Sequence, residues 1–393
     1  MQVKLFHTAD WHLGKLVQGV YMTEDQRYVL QQLLQAIELE QPDAVIIAGD
    51  LYDRAVPPTE AVELLDELLE HIVIRLNTPV LAISGNHDSP DRIDFGTKLM
   101  ESRGLFLAGT MKPELKPVVL RDEHGEVHFH LIPYADPAQV RHLLQDEAIR
   151  THDDAMRAIT LKLAAEMDKS ARHVLVGHAF VTPGGEAEAN TSESERPLAI
   201  GGAEHVSAAH FQPFHYTALG HLHQAHYVLN ESIQYAGSPL KYSISEENHK
   251  KGFLIVELAG DGAVTVAKKE LKPLHDMRRV AAPLEELERH PVNEDYVFVT
   301  LLNDNPVLYP MEKVRAVYPN ALHVERRAAS AILFDAEGAK GNSLKGAGRK
   351  EANPVELFEA FYTEVKGMPL SQSKKELFAQ ALEAVLREEG GAV

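Results

Sequence analysis

Cysteine is absent from the chain, which excludes disulfides, thiolate metal ligands and cysteine nucleophiles together. Positive charge is scarce as well: 39 Lys and Arg stand against 58 Asp and Glu, a formal net charge of −19. Non-specific affinity for nucleic acid comes largely from cations on phosphates, so a general nucleic-acid coat is excluded. Any DNA substrate must be met by positive charge that is local, metal-borne or lent by a partner. No apolar run approaches the roughly 20 residues that span a bilayer. The start, Met1-Gln2-Val3-Lys4-Leu5-Phe6, runs straight into polar His7 and Asp10 and lacks the apolar stretch of a signal peptide. A cytoplasmic protein without membrane association is expected. A Gly-x-x-x-x-Gly-Lys-Ser/Thr loop is also missing, so the chain has no recognisable ATP site of its own.

What remains for metal chemistry is His, Asp, Glu and Asn, and 21 histidines supply ample candidates. Such donors suit Mn, Fe or Zn better than a soft ion. The central stretch is Val45-Ile46-Ile47-Ala48-Gly49-Asp50-Leu51-Tyr52-Asp53, an apolar run that stops at a glycine and two carboxylates. It reads as a buried parallel strand that leaves Asp50 at its carboxyl end, where open α/β sheets keep their ligands.

At 393 residues the chain is too long for one core. Residues 1 to 110 alternate strand and helix: Val3 to Thr8, a helix over Glu24 to Glu40, Ala44 to Ala48, a helix from about Thr59 to Ile74, and Val80 to Ile83. Strand patterns dominate from Val118 to Ile132 and from Tyr216 to Val266, with a helix over Asp153 to Lys169 between them. Residues 1–275 are therefore expected as one α/β domain, a two-layered sheet sandwich flanked by helices. Residues 276–335 read as a small α/β module that caps it, 336–352 as a flexible basic linker, and 353–393 as two amphipathic helices that need a surface to dock on. His128 and His130, flanking Phe129, are expected as exposed strand histidines rather than ligands.

Five polar clusters each follow or interrupt an apolar strand: Asp10-Trp11-His12, Gly49-Asp50, Gly85-Asn86-His87-Asp88, Gly177-His178 and Gly220-His221-Leu222-His223. In Asp10-x-His12 and His221-x-His223, alternation along an extended chain would point both side chains to one face. Asp10, His12, Asp50, Asn86, His178, His221 and His223, with one carboxylate shared, make two four-ligand sites. That is the arrangement of a two-metal hydrolase, which clamps the attacking and leaving oxygens of an in-line displacement. His87, beside a ligand but free of that duty, is the candidate proton donor or transition-state stabiliser.

These clusters, in this order, resemble the signature of the calcineurin-like metallophosphoesterase superfamily. More narrowly, His7 to Gly14, Ser192 to Arg196, Ala218 to His223 and Gly237 to Ser243 resemble the SbcD family of bacterial nuclease subunits. The resemblance implies one metal on Asp10, His12, Asp50 and His223, a second on Asp50, Asn86, His178 and His221, His87 as catalytic histidine, and Mn²⁺ as the usual metal. It implies a DNA exonuclease and endonuclease acting in break repair and recombination with an SbcC-type ATPase, bound through the C-terminal helices. A homodimer within a heterotetramer, nucleoid-associated during action, follows from the same likeness.

Asp53 stands where archaeal and eukaryotic relatives tend to carry histidine; orienting a histidine and capping a turn are both open to it, and Asp88 is placed with it behind the ligands. Lys15, Arg54, Arg92 and Lys241 fall near the site loops and are candidate DNA-phosphate contacts. The competing readings are a set of N-caps and core histidines, a scaffold that has lost its metals, and a phosphoesterase acting on nucleotides or phosphoproteins. The filled ligand positions weigh against the first two. The trailing module, linker and helix pair weigh against the third.

Overall fold

The structure is a computed structural model that describes residues 2–184, 204–327 and 369–390, together with 355, 358, 359, 362 and 363. The 336–352 linker, the Ser192 to Arg196 run and most of the helix expected from Pro354 lie outside the described residues. The chain divides into two compact units, Met1–Asp276 and Met277–Val393.

The first unit is built on two six-stranded sheets. In one, the order is Val264–Glu270, Gly252–Leu258, Val3–Thr8, Ala44–Ala48, Val80–Ile83, Leu105–Ala108, the last four parallel. In the other it is His226–Val228, Asn230–Tyr235, Tyr216–Gly220, Arg172–His178, Gly125–Ile132, Val118–Asp122, with the four central strands parallel. All five residues of Ala44–Ala48 are buried, as a parallel strand covered on both faces requires. Side-chain alternation divides that burial between two cores. Leu5, Ile46, Leu81 and Ile83 meet Phe129, Val174, Val176 and Tyr216 between the sheets. Beyond the second sheet, Ile132, Leu175, Leu219 and Tyr235 pack against Ala155, Met156, Ile159 and Leu163 of the helix His152–Glu166. A reciprocal pair of hydrogen bonds between Thr151 and Asp154 starts that helix.

His130 is not an exposed strand histidine; it is buried beside His173, and His128 is largely covered. Asp168 O can only accept, so His173 Nε2 donates to it at 2.9 Å and His173 Nδ1 is left to accept from His130 Nε2 at 3.0 Å. Burial lowers His130 to about 3 and also lowers His173 and His215, each facing further imidazoles. A folded pKa below the unfolded one means that the neutral form stabilises the fold above about pH 6.5, and that this contribution is lost as pH falls toward the folded value. For His130 this steepens acid destabilisation by about 1.4 kcal/mol per pH unit in that window. His130→Leu is expected to flatten the acid limb by about one such increment, measured by urea unfolding between pH 7 and 4 (roughly the window set by these shifts); an unchanged slope would refute the assignment.

The second unit holds a parallel three-stranded sheet, Met277–Ala282, Tyr296–Leu301 and Ala321–Arg326, with short helices Leu284–Leu287 and Pro310–Arg315 between strands. Val297, Val299, Leu301, Val314 and Tyr318 form its core. In the helix Gln372–Gly390, Phe378 stacks on Phe358 at 3.9 Å between ring centroids, and Lys375 pairs with Glu359 at 2.6 Å. Leu377 remains 68% exposed, so the face expected to dock is only partly covered by the neighbouring segment.

Candidate metal centre

The parallel strands of both sheets end along one edge, and every candidate ligand lies at or just beyond such an end. The backbone there is bent into conformations that L-residues rarely adopt: Asp10, His12, Asp50 and His221 have φ of 55°, 45°, 51° and 103°. Such strain persists only where surrounding structure fixes it, and it clusters at functional sites. The Asp10 to His12 segment is therefore not the extended chain that alternation suggested. Its shape is fixed by Asp10 N donating to Gly49 O at 3.0 Å and His12 N to Asp50 O at 2.9 Å. Gln26 Nε2 donates to Trp11 O at 3.0 Å and His12 O at 2.7 Å from the helix Thr23–Glu40 beneath. Gly49, at φ 92°, turns the chain so close to the His178 ring that a Cβ would collide with it; at Gly85 a Cβ would strike Asp50.

Three sets of donor atoms converge closely enough to share an ion: Asp10, His12 and His223; Asp10, Asp50 and His178; and His12, Asp53 and His87. His12 Nε2 and His223 Nε2 approach to 3.0 Å, and Asp50 Oδ2 lies 3.6 Å from His12 Nε2 and 3.5 Å from His178 Nε2. Asn86 Oδ1 is 2.9 Å from His178 Nε2, while the His221 ring lies 5.4 Å from that of His178 between centroids. Asp50 Oδ2 thus faces both His12 and His178, and Asp10 shares a donor set with each of those two histidines.

The outer nitrogens of these rings are tied to acceptors. His178 Nδ1 meets Ala48 O at 2.9 Å and His223 Nδ1 meets Glu246 Oε1 at 3.0 Å. Ala48 O and the Glu246 carboxylate can only accept, so His178 and His223 each donate from Nδ1, which leaves Nε2 as the atom each offers to a metal; in His178 that atom also faces Asn86 Oδ1 at 2.9 Å, so an ion would take the place of an Nε2 proton there. His12 Nδ1 is buried with no hydrogen-bond partner, 3.7 Å from Asp53 Oδ1.

Burial and mutual charge dominate the titration of these groups. Burial raises Asp10 to about 7 against the pull of His178 and His223. Burial disfavours a charged His178, but Asp50 and Asp10 outweigh it and push the ring up to about 9. For Asp50, burial acts upward and is overcome by His178 and His12, which hold the carboxyl well below its usual range. Buried carboxylates and inward-facing imidazole nitrogens, with no thiolate, form a donor set that fits hard or borderline divalent ions.

Asp88 acts on the backbone of the loops that carry the candidate ligands. Its carboxylate accepts from the backbone N–H groups of Leu51, Tyr52 and Gly85 at 2.9 to 3.1 Å, joining the Asp50 and Asn86 loops. Burial and the Asp50 charge raise it to about 7. Asp53 pairs with Lys15 at 2.8 Å. Lys241 pairs with Asp276 at 2.8 Å and donates to Glu247 O at 2.7 Å, whereas Arg54 and Arg92 are exposed. His87 N donates to Asp50 Oδ1 at 2.9 Å, and its ring Nδ1 donates to Asp53 O at 2.9 Å.

Sequence reasoning missed Gln26, Tyr242, Glu246 and Lys251. Tyr242 donates to Trp11 O at 2.5 Å and lays its ring edge-on to His12. Glu246 is fully buried, and although burial would raise it, Lys251 and His223 hold it well below the carboxylate range. The Gly237 to Ser243 likeness contained Tyr242; nothing in the polar run Ser245-Glu246-Glu247 marked Glu246 as interior.

Among the described residues no helix is long and apolar enough to cross a membrane. Residues 3–224 match the calcineurin-like phosphoesterase family, and residues 273–366 match the SbcD_C family, described as the type 5 capsule protein repressor C-terminal domain. The SbcD subunit of the SbcCD nuclease of Staphylococcus epidermidis is 34% identical over 392 residues, 99% of this chain and 100% of that protein. Among solved structures, a dimetal phosphatase from Danio rerio aligns at 13% identity and TM-score 0.39, covering 69% of this chain and 97% of that one. GAP50, the anchor in the inner membrane complex of Plasmodium, aligns at 12% identity and TM-score 0.40, covering 84% and 98%. The phosphoesterase match over more than half the chain, with the full-length relative, settles the lineage: the chain belongs to the SbcD family of nuclease subunits, metallophosphoesterase hydrolases of the calcineurin-like fold.

Proposed function

We propose that the chain is a metal-dependent DNA phosphodiesterase, an exonuclease on duplex ends and an endonuclease on single strands or hairpins. It acts in the cytoplasm, on the nucleoid, in break repair and recombination. The observation that carries this reading is the convergence of two donor sets, Asp10, His12 and His223 and Asp10, Asp50 and His178, with Asp50 Oδ2 facing both His12 Nε2 and His178 Nε2. One ion would sit on Asp10, His12, Asp50 and His223, the other on Asp50, Asn86, His178 and His221, with Mn²⁺ the favoured metal. Bound ions would offset phosphate charge and activate water for in-line attack.

The protein's own part is positional. His178 and His223 present Nε2 because their Nδ1 protons are engaged, and Asp88 locks the two loops that carry Asp50 and Asn86. His87 has its Nδ1–H committed to Asp53 O, so Nε2 is the atom through which it can give a proton to the leaving oxygen. A Mn²⁺-dependent assay comparing linear duplex, hairpin, single-stranded DNA and a nucleotide monoester tests the substrate class. Turnover of the monoester alone would favour a nucleotide phosphatase and defeat the nuclease reading.

Lys15, Arg54, Arg92 and Lys241 are proposed to meet flanking phosphates. The two arginines are the better placed, since both are exposed, whereas Lys15 and Lys241 are largely covered and held at 2.8 Å by carboxylates; Arg54 reaches Asp53 only at 3.6 Å. Arg54→Ala is expected to weaken DNA binding and to reduce the slope of log K against log salt by about 1; Lys15→Ala should do less, and unchanged slopes would remove both from the interface.

An SbcC-type ATPase is proposed to bind the 353–393 helices in a heterotetramer containing two copies of this chain. The exposed Leu377 beside the Phe358–Phe378 stack supports a docking face there. Deleting residues 353 to 393 should abolish co-purification with the ATPase while metal binding by the first unit survives. Retained co-purification would place the contact elsewhere.

A further inference from the structure

His223 is held by a buried ion pair that no ligand requires for its own charge. Glu246 is wholly inaccessible and lies in a short 3₁₀ turn, Ile244–Glu246, packed under the site. One carboxylate oxygen meets His223 Nδ1 at 3.0 Å, and the other meets Lys251 Nζ at 2.5 Å and Tyr242 N at 3.3 Å. Lys251, itself buried, also donates to His223 O and to Ser238 Oγ, each at 2.8 Å. The clamp therefore grips His223 at both its ring and its backbone. Burying two charges is costly, and an apolar pair of similar volume often serves stability as well or better. Stability alone is thus a poor reason for placing Glu246 and Lys251 here.

We infer that Glu246, itself fixed by Lys251, is a positioning residue that holds His223 as the Nδ1–H tautomer, so that its Nε2 faces the Asp10 and His12 side of the site. This rests on the proposed metal assignment. The orientation follows from geometry: Glu246 Oε1 accepts at one edge of the ring, and the opposite nitrogen is the one that approaches His12 Nε2. Without the acceptor, the ring can place its proton on Nε2 or rotate, and either loses the lone pair that an ion needs. Removing such an outer partner weakens metal binding by roughly 10–100-fold.

Two double variants separate positioning from packing. Glu246→Leu with Lys251→Met removes the acceptor and both charges. Glu246→Gln with Lys251→Met removes the charges but keeps an amide oxygen able to accept from Nδ1. Calorimetric titration of the full chain with Mn²⁺ should resolve two ions in the wild type. The Leu variant should bind one of them roughly 10–100-fold more weakly while the other is unchanged, and the Gln variant should regain most of that loss. Equal weakening in both variants, equal weakening of both ions, or no weakening would overturn the inference. A wild type that binds no Mn²⁺ would instead defeat the metal assignment beneath it.

If the Leu variant does not fold, as judged by circular dichroism, long-range ¹H–¹⁵N spectra of the Zn²⁺-loaded wild type decide the matter. The His223 signals, identified by their loss in His223→Asn, should show a protonated Nδ1. A protonated Nε2 would overturn the inference.

Discussion

Replacing Asp50 by Asn is expected to weaken both metal positions together and to reduce phosphodiester hydrolysis by more than the roughly 10–100-fold that loss of an outer supporting group costs. The expectation comes from where Asp50 stands: one carboxylate oxygen lies 3.6 Å from His12 Nε2 and 3.5 Å from His178 Nε2. An amide there would bring neither the negative charge that balances two cations nor a second equivalent oxygen. The substitution is informative because the backbone tolerates it. Asp50 sits at φ 51°, a left-handed conformation that Asn adopts more readily than most residues. The amide oxygen can still accept from His87 N. Loss of metal would therefore not be loss of fold.

His12→Ala is the contrast: its ring faces His223 and the Asp10 side, so it should chiefly affect one ion. Titration with Mn²⁺, read beside the melting temperature of the metal-free protein, distinguishes the two variants. Retention of both ions at wild-type affinity after Asp50→Asn would overturn the shared-carboxylate assignment.

Much of this centre is legible in the sequence because its parts are delivered locally. An apolar strand such as Val45 to Ala48 ends abruptly and a candidate ligand comes next, with a glycine beside it in four of the five clusters; each cluster announces itself within four or five residues. Parallel strand grammar then brings the ends together without further information.

The second layer of the site is not local. Gln26 lies within a helix, yet its side chain reaches up to Trp11 O and His12 O. Glu246 and Lys251 sit in a run of charged residues that reads as surface, and only tertiary packing closes them off from water. The bent backbone at Asp10 and His12 was equally hidden, since the alternation rule assumes an extended chain. Burial of His130 escaped for the same reason: His-Phe-His satisfies a half-exposed strand as well as one covered by the helix His152–Glu166.

His87→Ala is expected to leave metal binding intact and to lower turnover by roughly 10²–10⁴-fold, the usual worth of a positioned proton donor. The contact from His87 to Asp50 uses the backbone N–H, which alanine keeps. The Asp50 loop should therefore hold its place when the imidazole goes. What disappears is a ring about 4.7 Å from that of His12, between centroids, with one nitrogen engaged by Asp53 O and the other available for exchange. His87→Asn is a useful companion, because an amide can donate a hydrogen bond to a phosphate oxygen but cannot transfer a proton at neutral pH.

If proton donation to the leaving oxygen is the role, both variants should be slow on an ordinary DNA phosphodiester. Both should recover on a phosphodiester whose leaving group needs no proton, such as a nitrophenyl ester. If His87 acts instead by hydrogen-bonding the transition state, the Asn variant should retain activity that the Ala variant loses, on both substrates. Unchanged cleavage of DNA by His87→Ala would remove the residue from the mechanism altogether.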